Sequence, residues 1–557
     1  MKNKITTSST AEYFSKNLQQ VGFSSANKAV LTTLKESVDN SLDACEDAGI
    51  LPEISVEIEK QGAGTHKNTD LIRLRVTDNG PGLSPDDLPR VYGEYLASSK
   101  FGRGRASRGQ QGIGISAATT WAQLTSTRGA NIISKTKKMR KAVSGVVEVD
   151  IKKNKGVFKN SKTISWDRPH GVSVEFFFDG RLQLNGEGGV LTYLIGSSIV
   201  NPHLKLSYKI NDDDWIVFER LSKHNIEIPP AVQPHPHTMK LGEYVGHLSL
   251  FGKAPFRNFL KKAFSRVSDQ TIKAFVKNGI PKALLNKAAN SLSNEDIKKT
   301  FSAIQNTDVM SPSTKSVLRI GEDALSKSIQ RVGDVDFFSV VSRKPKICDA
   351  KPVVIEVALA RLENSKEEEK SVTVLRFANR VPLQFDKSAC AIVKAIESVN
   401  WRSYGLSQPR NSLPQGPYIF AISLVSPFIK FKNASKETVD GSNELVEEIR
   451  LALMQAGQRL ARHIKREKKE AELENKRRHI EQFGPILIDI LGRISKVPNT
   501  RLDKARKGLM KILGRDADTT AAQLKLAEKK QAEAKIKAEE RAKKAAESKT
   551  KKKKSKK

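Results

Sequence analysis

The chain has 557 residues, more than one hydrophobic core can fill, so about two to four domains are expected. Its 96 Lys and Arg against 61 Asp and Glu give a formal net charge of +35, which points to nucleic acid as a partner; a solvated basic surface with a basic tail is the alternative. Three scattered cysteines exclude a disulfide framework and a Cys/His zinc site, and no apolar run could span a bilayer. A reducing cytoplasm is therefore expected.

The first predicted element is an amphipathic helix that begins near Asn27 and stops at Gly49, with apolar residues at helical spacing between them. Alternating residues then predict strands at 53–59 and 71–77, and the turn-forming sequence DNGPG ends the second strand. A loop is expected to leave the strand end there.

A polar, glycine-rich stretch at 98–114 precedes a predicted helix through Ala117 and Trp121, and β-rich segments follow at 146–151 and 172–178. The first 225 or so residues therefore predict a sandwich of helices packed on a sheet.

The sequence Pro229-Pro230 indicates a linker, after which residues 248–304 are helical with short turns. A second α/β domain follows, with a helix near 390–398. Its predicted strands lie at 353–360, 371–377 and 418–425.

Residues 442–482 predict a long charged helix, and a helix pair is expected from there to about Arg515. The Lys/Ala/Glu-rich end from Ala521 predicts a disordered or marginally helical tail.

The first helix carries Glu36, Asn40 and Asp43 at i, i+4 and i+7, so their side chains converge on one patch. A carboxylate there can activate a water molecule, and an amide oxygen one turn away can ligate Mg²⁺. The alternative is an ordinary polar solvent face.

Asp78 stands at a strand end before Gly80 and Gly82, where a buried carboxylate can accept a hydrogen bond from a base and glycine allows close backbone approach. The same residues are equally good as a turn. The sequence Gly109-Gln110-Gln111-Gly112-Ile113-Gly114 then offers backbone N–H groups for phosphate before a helix, although a generic glycine loop is the alternative.

These three patterns, in this order, resemble the Bergerat-fold (GHKL) ATPases, the family of gyrase, histidine kinases and mismatch-repair ATPases. The resemblance implies ATP and Mg²⁺ as cofactors, Glu36 as general base, Asn40 as the metal ligand and Asp78 as the adenine-reading carboxylate. The nucleotide-contacting residues that it implies are Asn40, Asp43, Asp78, Gly80, Gly82, Ser99, Lys100, Gly109, Gln110, Gln111, Gly112, Ile113, Gly114 and Lys436.

More specifically, roughly the first 450 residues resemble the B subunits of type IIB DNA topoisomerases. The matching segments are AEYFSKNLQQVGF, SRGQQGIGIS, DRPHGVSVEF, a helix-two-turn-helix segment FSRVSDQTIKAFVKNGI, and a transducer segment containing LRFANRVPLQFDKSACAIVKAIESVNWRSYGL. The resemblance implies an ATP-hydrolysing topoisomerase subunit that dimerises on ATP and captures double-stranded DNA. The resemblance also implies that a separate A subunit cuts DNA within an A2B2 heterotetramer, and that the protein is cytoplasmic and nucleoid-associated in an archaeon.

The same resemblance implies a switch lysine that reaches the γ-phosphate from the transducer. Ser435-Lys436-Glu437 matches the family pattern and assigns this catalytic role to Lys436, with Lys432 left as an alternative. Trp401, Arg402 and Tyr404 match a WKxY motif linked to DNA sensing, with arginine replacing lysine; a buried aromatic pair is the alternative.

The expected fold class is multidomain α+β. Its parts are a Bergerat-fold ATPase sandwich with an N-terminal strap at 1–228, a helix-two-turn-helix domain at 229–306, an α/β transducer with a long helix at 307–483, a helical segment that binds the A subunit at 484–519, and a Lys-rich tail at 520–557. The alternative function is a Bergerat-fold ATPase clamp or chaperone that is not coupled to DNA cleavage.

Overall fold

The computed structural model describes residues 7–98, 104, 106–109, 111–224, 226, 228–363, 369–410, 412–433, 435–511 and 513–514. These residues divide into two compact units at Ala461 and Arg462. No helix within the described ranges is long and apolar enough to cross a membrane.

The first part of the chain builds an eight-stranded sheet with the order β5-β4-β3-β6-β2-β1-β7-β8. Neighbouring strands are antiparallel except for the parallel pair of β1 and β7. The strands are β1 (Glu53–Ala63), β2 (Asp70–Asp78), β3 (Ala130–Lys135), β4 (Ala142–Asp150), β5 (Lys155–Ile164), β6 (Gly171–Gly180), β7 (Lys205–Ile210) and β8 (Ile216–Phe218).

Helices cover one face of this sheet. In β1, Ile54, Val56 and Ile58 are buried while the residues between them are partly exposed, which is the alternation of a strand with one covered face. The helices are α1 (Thr10–Lys16), α2 (Ala26–Asp47), α3 (Leu88–Gly93), α4 (Gly114–Ser126) and α5 (Val190–Val200). The predicted helix-on-sheet sandwich is confirmed. The sequence patterns did not identify α1, α3, α5, β3, β5, β7 or the edge strand β8.

Helix α2 matches the predicted amphipathic helix. The side chain of Ser25 caps its first turn by accepting a hydrogen bond from the backbone N–H of Lys28. Its apolar stripe is buried, with Leu34, Val38 and Leu42 fully inaccessible to solvent. The polar positions of the same helix are therefore held at a fixed angle to the core.

A small helical domain with its own core follows. Phe256, Phe259 and Phe275 are fully buried at its centre, and Ser268 and Ser293 cap two of its helices. The helices are α6 (Leu241–Phe251), α7 (Phe256–Ala263), α8 (Asp269–Lys277) and α9 (Asn294–Gln305), and α10 (Glu322–Ile329) leads into the next domain.

The second sheet has the order β10-β11-β14-β12-β13, with β9 paired to β11. Its core includes Ile199 and Val200 of α5, so the first sheet domain and this domain share buried contacts. The elements are β9 (Val335–Ser342), β10 (Lys346–Cys348), β11 (Lys351–Leu362), β12 (Thr373–Ala378), β13 (Val381–Leu383), α11 (Ala391–Ser398) and β14 (Tyr418–Val425). The cysteines Cys45, Cys348 and Cys390 are free and buried.

Helix α12 (Asn443–Ile494) is longer than predicted, because the helix expected to end near Gln482 continues through Pro485. Proline removes one hydrogen bond and favours a break, but the apolar period continues past it. Downstream helical residues 499–511 pack against small residues of α12: a Cβ on Gly484 would lie 2.5 Å from Leu509, and one on Gly492 would lie 2.3 Å from Leu502. Close packing therefore outweighs the local break signal.

Candidate nucleotide-binding site

A cavity of about 260 Å³ lies beside α2. Its walls include α2, the loop after β2, parts of α3 and β6, and the glycine loop before α4. Two segments of the second sheet domain, at 384–385 and 435–437, complete them. The first and second sheet domains therefore enclose one cavity together.

Asp78 lines this cavity and is only 5% exposed. Its Oδ2 accepts a hydrogen bond from Ser41 Oγ at 2.8 Å, and its Oδ1 accepts from the backbone N–H groups of Gly80 at 2.8 Å and Val172 at 3.1 Å. Burial raises the pKa of Asp78, although these hydrogen bonds oppose the shift. The carboxylate is thus fixed in position at the inner end of the cavity.

The sequence patterns did not assign Ser41 or Val172, which hold Asp78. Ser41 directly follows Asn40 on α2, so helix phase alone could have placed it near the site. Val172 belongs to the segment DRPHGVSVEF, which matches the family but indicated no role for this residue. Sheet pairing between β2 and β6, which no local pattern gives, brings it to Asp78.

Two glycines allow the close approaches on which the site depends. Gly82 has φ +74°, and a Cβ there would lie 2.1 Å from the carbonyl oxygen of Lys135. A Cβ on Gly114 would lie 2.0 Å from Glu36 Oε2. Any side chain at either position would displace its neighbour.

The other residues predicted to contact nucleotide are divided. Gly109, Gln111, Gly112 and Ile113 of the glycine loop line the cavity. Gly80, in the loop after β2, does not line it and donates its N–H to Asp78 instead. Ser99, Lys100 and Gln110, which were predicted to contact nucleotide, lie outside the described residues.

Glu36 and Asn40 both line the cavity, one turn apart on α2. Among the described residues, neither side chain is engaged in a hydrogen bond. The carboxylate and the amide therefore face the cavity with their polar atoms available.

Asp43 departs from the prediction that it contacts nucleotide. It does not line this cavity; its Oδ1 lies 2.8 Å from Arg108 Nη1 and its Oδ2 accepts from the backbone N–H of Gly109 at 3.1 Å. The guanidinium of Arg108 is buried beside α2 and compensates the carboxylate charge there. Asp43 thus holds the entry to the glycine loop rather than the cavity.

Lys436 enters the same cavity from the second sheet domain. Its backbone has φ +55°, and its Nζ donates a hydrogen bond to the carbonyl oxygen of Arg108 at 2.7 Å. Burial lowers the pKa of Lys436, while the nearby charge of Glu36 opposes that shift. Lys432 is exposed and does not line the cavity.

An ion pair and a hydrogen bond with α2 hold the segment that carries Lys436. Lys28 Nζ lies 3.0 Å from Glu437 Oε1, and Lys35 Nζ donates to the carbonyl oxygen of Ser435 at 3.3 Å. Lys35 also lines the cavity, next to Glu36, and was not predicted as a site residue.

The tryptophan of the predicted DNA-contacting trio is buried. Trp401 is 0% exposed, donates its indole N–H to Ile396 O at 2.8 Å and packs against Phe420 at a centroid distance of 4.7 Å. The indole ring therefore cannot stack on a base in this conformation, and the alternative of a buried aromatic pair fits Trp401 better. Arg402 is exposed and Tyr404 half-buried.

Two family models match the chain. The model described as Histidine kinase-, DNA gyrase B-, and HSP90-like ATPase matches residues 26–168, and the model described as Topoisomerase VI B subunit, transducer matches residues 312–476. The two matched segments together contribute α2, the glycine loop and the segment of Lys436 to the cavity.

Several curated proteins, each named as the B subunit of type 2 DNA topoisomerase 6, are similar to this chain. The protein from Archaeoglobus fulgidus is 37% identical over 469 residues, 83% of this chain and 75% of the relative. The protein from Methanococcoides burtonii is 34% identical over 461 residues (82% and 72%), and that from Methanosarcina mazei is 32% identical over 507 residues (91% and 80%).

Proposed function

Because this chain belongs to the family of type 2 DNA topoisomerase 6 B subunits, we propose that ATP closes its cavity and that this closure drives a partner protein to pass DNA. The chain is an ATP-hydrolysing B subunit of a type II DNA topoisomerase. The observation that carries the finer proposal is a cavity built jointly by Glu36 and Asn40 of the ATPase domain and Lys436 of the transducer.

We assign the residue roles from this geometry. Asp78, fixed by three hydrogen bonds, accepts a hydrogen bond from the exocyclic amine of adenine, and the glycine loop offers backbone N–H groups to the phosphates. Glu36 orients and activates the attacking water, and Lys436 stabilises negative charge that develops on the γ-phosphate. Lys35 lies beside Glu36 as a second positive charge at this end of the cavity.

The donor set also fits Mg²⁺. Magnesium usually takes one or two protein oxygens with several phosphate and water oxygens, and the amide of Asn40 faces the cavity with no hydrogen bond to another described residue. Asn40 would hold the ion, which when bound neutralises phosphate charge.

We further propose that two copies join through their ATPase domains when ATP binds, with residues 1 to about 19 as a strap across the partner. In the single chain, α1 packs on its own domain: Phe14 stacks on Tyr95 at 5.3 Å and Ser9 Oγ donates to Ile151 O at 2.5 Å. Exchange of this segment between copies would close the gate around a captured duplex.

The cutting partner is the A subunit of topoisomerase VI, in an A2B2 heterotetramer. Exposed apolar residues at helical spacing on α12 support docking of that partner on the C-terminal unit. They are Phe483 (61% exposed), Ile486 (53%), Leu487 (59%), Ile490 (48%), Leu491 (53%) and Ile494 (74%). In the archaeal nucleoid, the net charge of +35 favours contact with double-stranded DNA.

The test is relaxation of a supercoiled plasmid by this chain co-expressed with the A subunit from the same genome, with Mg²⁺, with and without ATP. We expect ATP-dependent relaxation and decatenation, and a loss of ATP hydrolysis of about 100-fold or more in Glu36→Ala with nucleotide binding retained. The control Glu59→Ala, which removes an ion pair with Arg73 and a hydrogen bond from Gln61 outside the cavity, keeps both activities. Hydrolysis without relaxation in the assembled complex would favour the clamp or chaperone function.

Two lysine variants test which lysine of this loop acts on the γ-phosphate. Lys436→Ala should lower the turnover number for ATP by roughly 100-fold because it removes the cation that is assigned to the γ-phosphate. Lys432→Ala, exposed on the same loop, should hydrolyse ATP at the wild-type rate. The reverse result, measured in a steady-state phosphate-release assay, would transfer the role to Lys432.

A further inference from the structure

A buried ionic cluster lies behind the nucleotide cavity. Glu46, near the end of α2, is 8% exposed. Its carboxylate oxygens contact Arg108 at 2.8 and 3.0 Å and Arg380 at 2.6 and 3.0 Å, and its Oε1 lies 2.9 Å from His203 Nε2. One carboxylate is therefore shared by two guanidinium groups, each of which contacts both of its oxygens.

The three charged members come from three separate parts of the chain. Glu46 belongs to the helix that carries Glu36, and Arg108 directly precedes the glycine loop. Arg380 belongs to the turn between β12 and β13 of the transducer, where Asn379 and Arg380 have φ +49° and +63°. Two adjacent residues in the left-handed region are costly for non-glycine side chains, so the surrounding contacts must hold this turn.

Asn201 ties the two arginines together from a fourth segment. Its Oδ1 accepts from Arg108 Nη2 at 2.6 Å, and its Nδ2 donates to the carbonyl oxygen of Arg380 at 3.2 Å. Asp43 adds a second carboxylate against Arg108. Two carboxylates thus face two guanidinium groups, and burial lowers the pKa of His203, although its hydrogen bond with Glu46 opposes that shift.

The cluster is not fully satisfied. Arg108 Nε and His203 Nδ1 are buried without a hydrogen-bond partner among the described residues. Buried charges are costly unless they are fully paired, so an apolar contact would join the two domains at less cost. Because Arg380 belongs to the transducer, the cluster is complete only when the transducer is docked. We therefore infer that the cluster reports the position of the transducer more than it stabilises the fold.

Arg108 joins the cluster to residues that line the nucleotide cavity. Its side chain binds Glu46 and Asp43, while its carbonyl oxygen accepts from Lys436 Nζ at 2.7 Å. The next residue, Gly109, lines the cavity. A shift of Arg380 would therefore be transmitted through Glu46 to Arg108, and from there to both the glycine loop and Lys436.

We propose that Arg380 is a positioning residue for ATP hydrolysis, which through Glu46 and Arg108 aligns the glycine loop and Lys436 only when the transducer is docked. This rests on the proposed function of the cavity. Arg380 does not touch the nucleotide; it couples the position of the transducer to the geometry of the site.

The test compares Arg380→Gln, Glu46→Gln and the double variant in the complex with the A subunit. We expect kcat for ATP to fall about 10- to 100-fold in each single variant, the usual range for coupling between sites, with KM nearly unchanged. The double variant should lose no more than either single variant, because the two residues act as one unit. Arg361→Gln, which removes a surface pair with Asp336 in the same sheet, should leave kcat unchanged.

Loss of stability is controlled with Val341→Ala, a cavity variant at a fully buried position of β9. If Val341→Ala lowers Tm as much as Arg380→Gln and lowers kcat equally, or if Arg380→Gln turns over at the wild-type rate, the proposal is overturned. Should Arg380→Gln not fold, Arg380→Lys is measured in the same way, because lysine keeps the charge but cannot make the bidentate contact with Glu46.

A second readout follows the loop itself. With a non-hydrolysable ATP analogue, amide hydrogen exchange at residues 106–109 should be slow in the wild type and clearly faster in Arg380→Gln and Arg380→Lys; equal protection would contradict the coupling. The proposed function is tested separately, because loss of hydrolysis in Glu36→Ala does not depend on Arg380.

Discussion

Asp39 is a buried carboxylate one turn from Glu36 and Lys35 on the same helix. It is 5% exposed and accepts a hydrogen bond from the hydroxyl of Tyr193 at 3.0 Å. Burial is the main reason that its pKa is raised to about 7, with the charge of Glu36 adding to the shift and that of Lys35 opposing it. An ionised Asp39 is thus unfavourable in the folded chain.

Between the unfolded pKa near 3.8 and the folded pKa near 7, the native state binds more protons, so the stability contribution of Asp39 falls as pH rises through this window. Asp39→Asn cannot ionise. Relative to wild type, its free energy of unfolding should therefore rise from pH 4 to pH 8, by roughly 4 kcal/mol at most. Its Tm relative to wild type should rise over the same range.

Thermal melts at both pH values test this, with the exposed Asp86→Asn as control. A Tm difference between Asp39→Asn and wild type that stays constant with pH would show that Asp39 titrates normally. ATP turnover of the same variant reports whether the neutral side chain also serves the neighbouring Glu36.

The loop after β2 is shaped by Gly82. Gly82→Ala adds a Cβ that would lie 2.1 Å from Lys135 O at φ +74°, so the loop that lines the cavity must shift. We expect the free energy of unfolding to fall by roughly 2–4 kcal/mol, which lowers Tm, and nucleotide to bind more weakly. Both are measured by melting with and without ATP analogue.

Gly186 provides the matched control. It has a similar φ of +79°, but the nearest atom to an added Cβ is Gln183 Nε2 at 3.8 Å. Gly186→Ala carries only the backbone cost of about 1–2 kcal/mol and should bind nucleotide normally. Equal effects of the two substitutions would show that the close approach at Gly82 is unimportant.

Elements with a local period could be predicted, and those that depend on distant pairing could not. Helix α2 and strand β14 follow from apolar spacing within each segment. The site residues could be predicted only in part. Glu36 and Asn40 reach the cavity as helix phase predicts. Asp43 instead contacts Arg108, whose burial no local pattern indicates. Trp401 is similar, since its burial against Phe420 depends on how α11 and β14 come together.

At the scale of the whole molecule, the exposed apolar stripe of α12 predicts where the A subunit binds. Leu487→Asp combined with Ile490→Asp places two charges on residues that are 59% and 48% exposed. Both substitutions should be tolerated in the isolated chain and should abolish co-purification with the A subunit. ATP hydrolysis by the isolated chain should persist.

Lys476→Asp, exposed on the same helix, is the control for the added negative charge and should leave assembly intact. Retained co-purification of the double variant, measured by size-exclusion chromatography, would place the docking surface elsewhere in the chain.

The three buried thiols have a practical consequence. Cys45 belongs to the ATPase domain and Cys348 and Cys390 to the transducer, and burial raises the pKa of Cys348 to about 12. Alkylation under native conditions can therefore proceed only when the surrounding structure opens. Mass spectrometry of the three peptides would time the opening of each domain separately, and nucleotide should slow labelling of Cys45 most strongly. The rate at which each domain opens can thus be measured on the wild-type chain, with no label or substitution introduced.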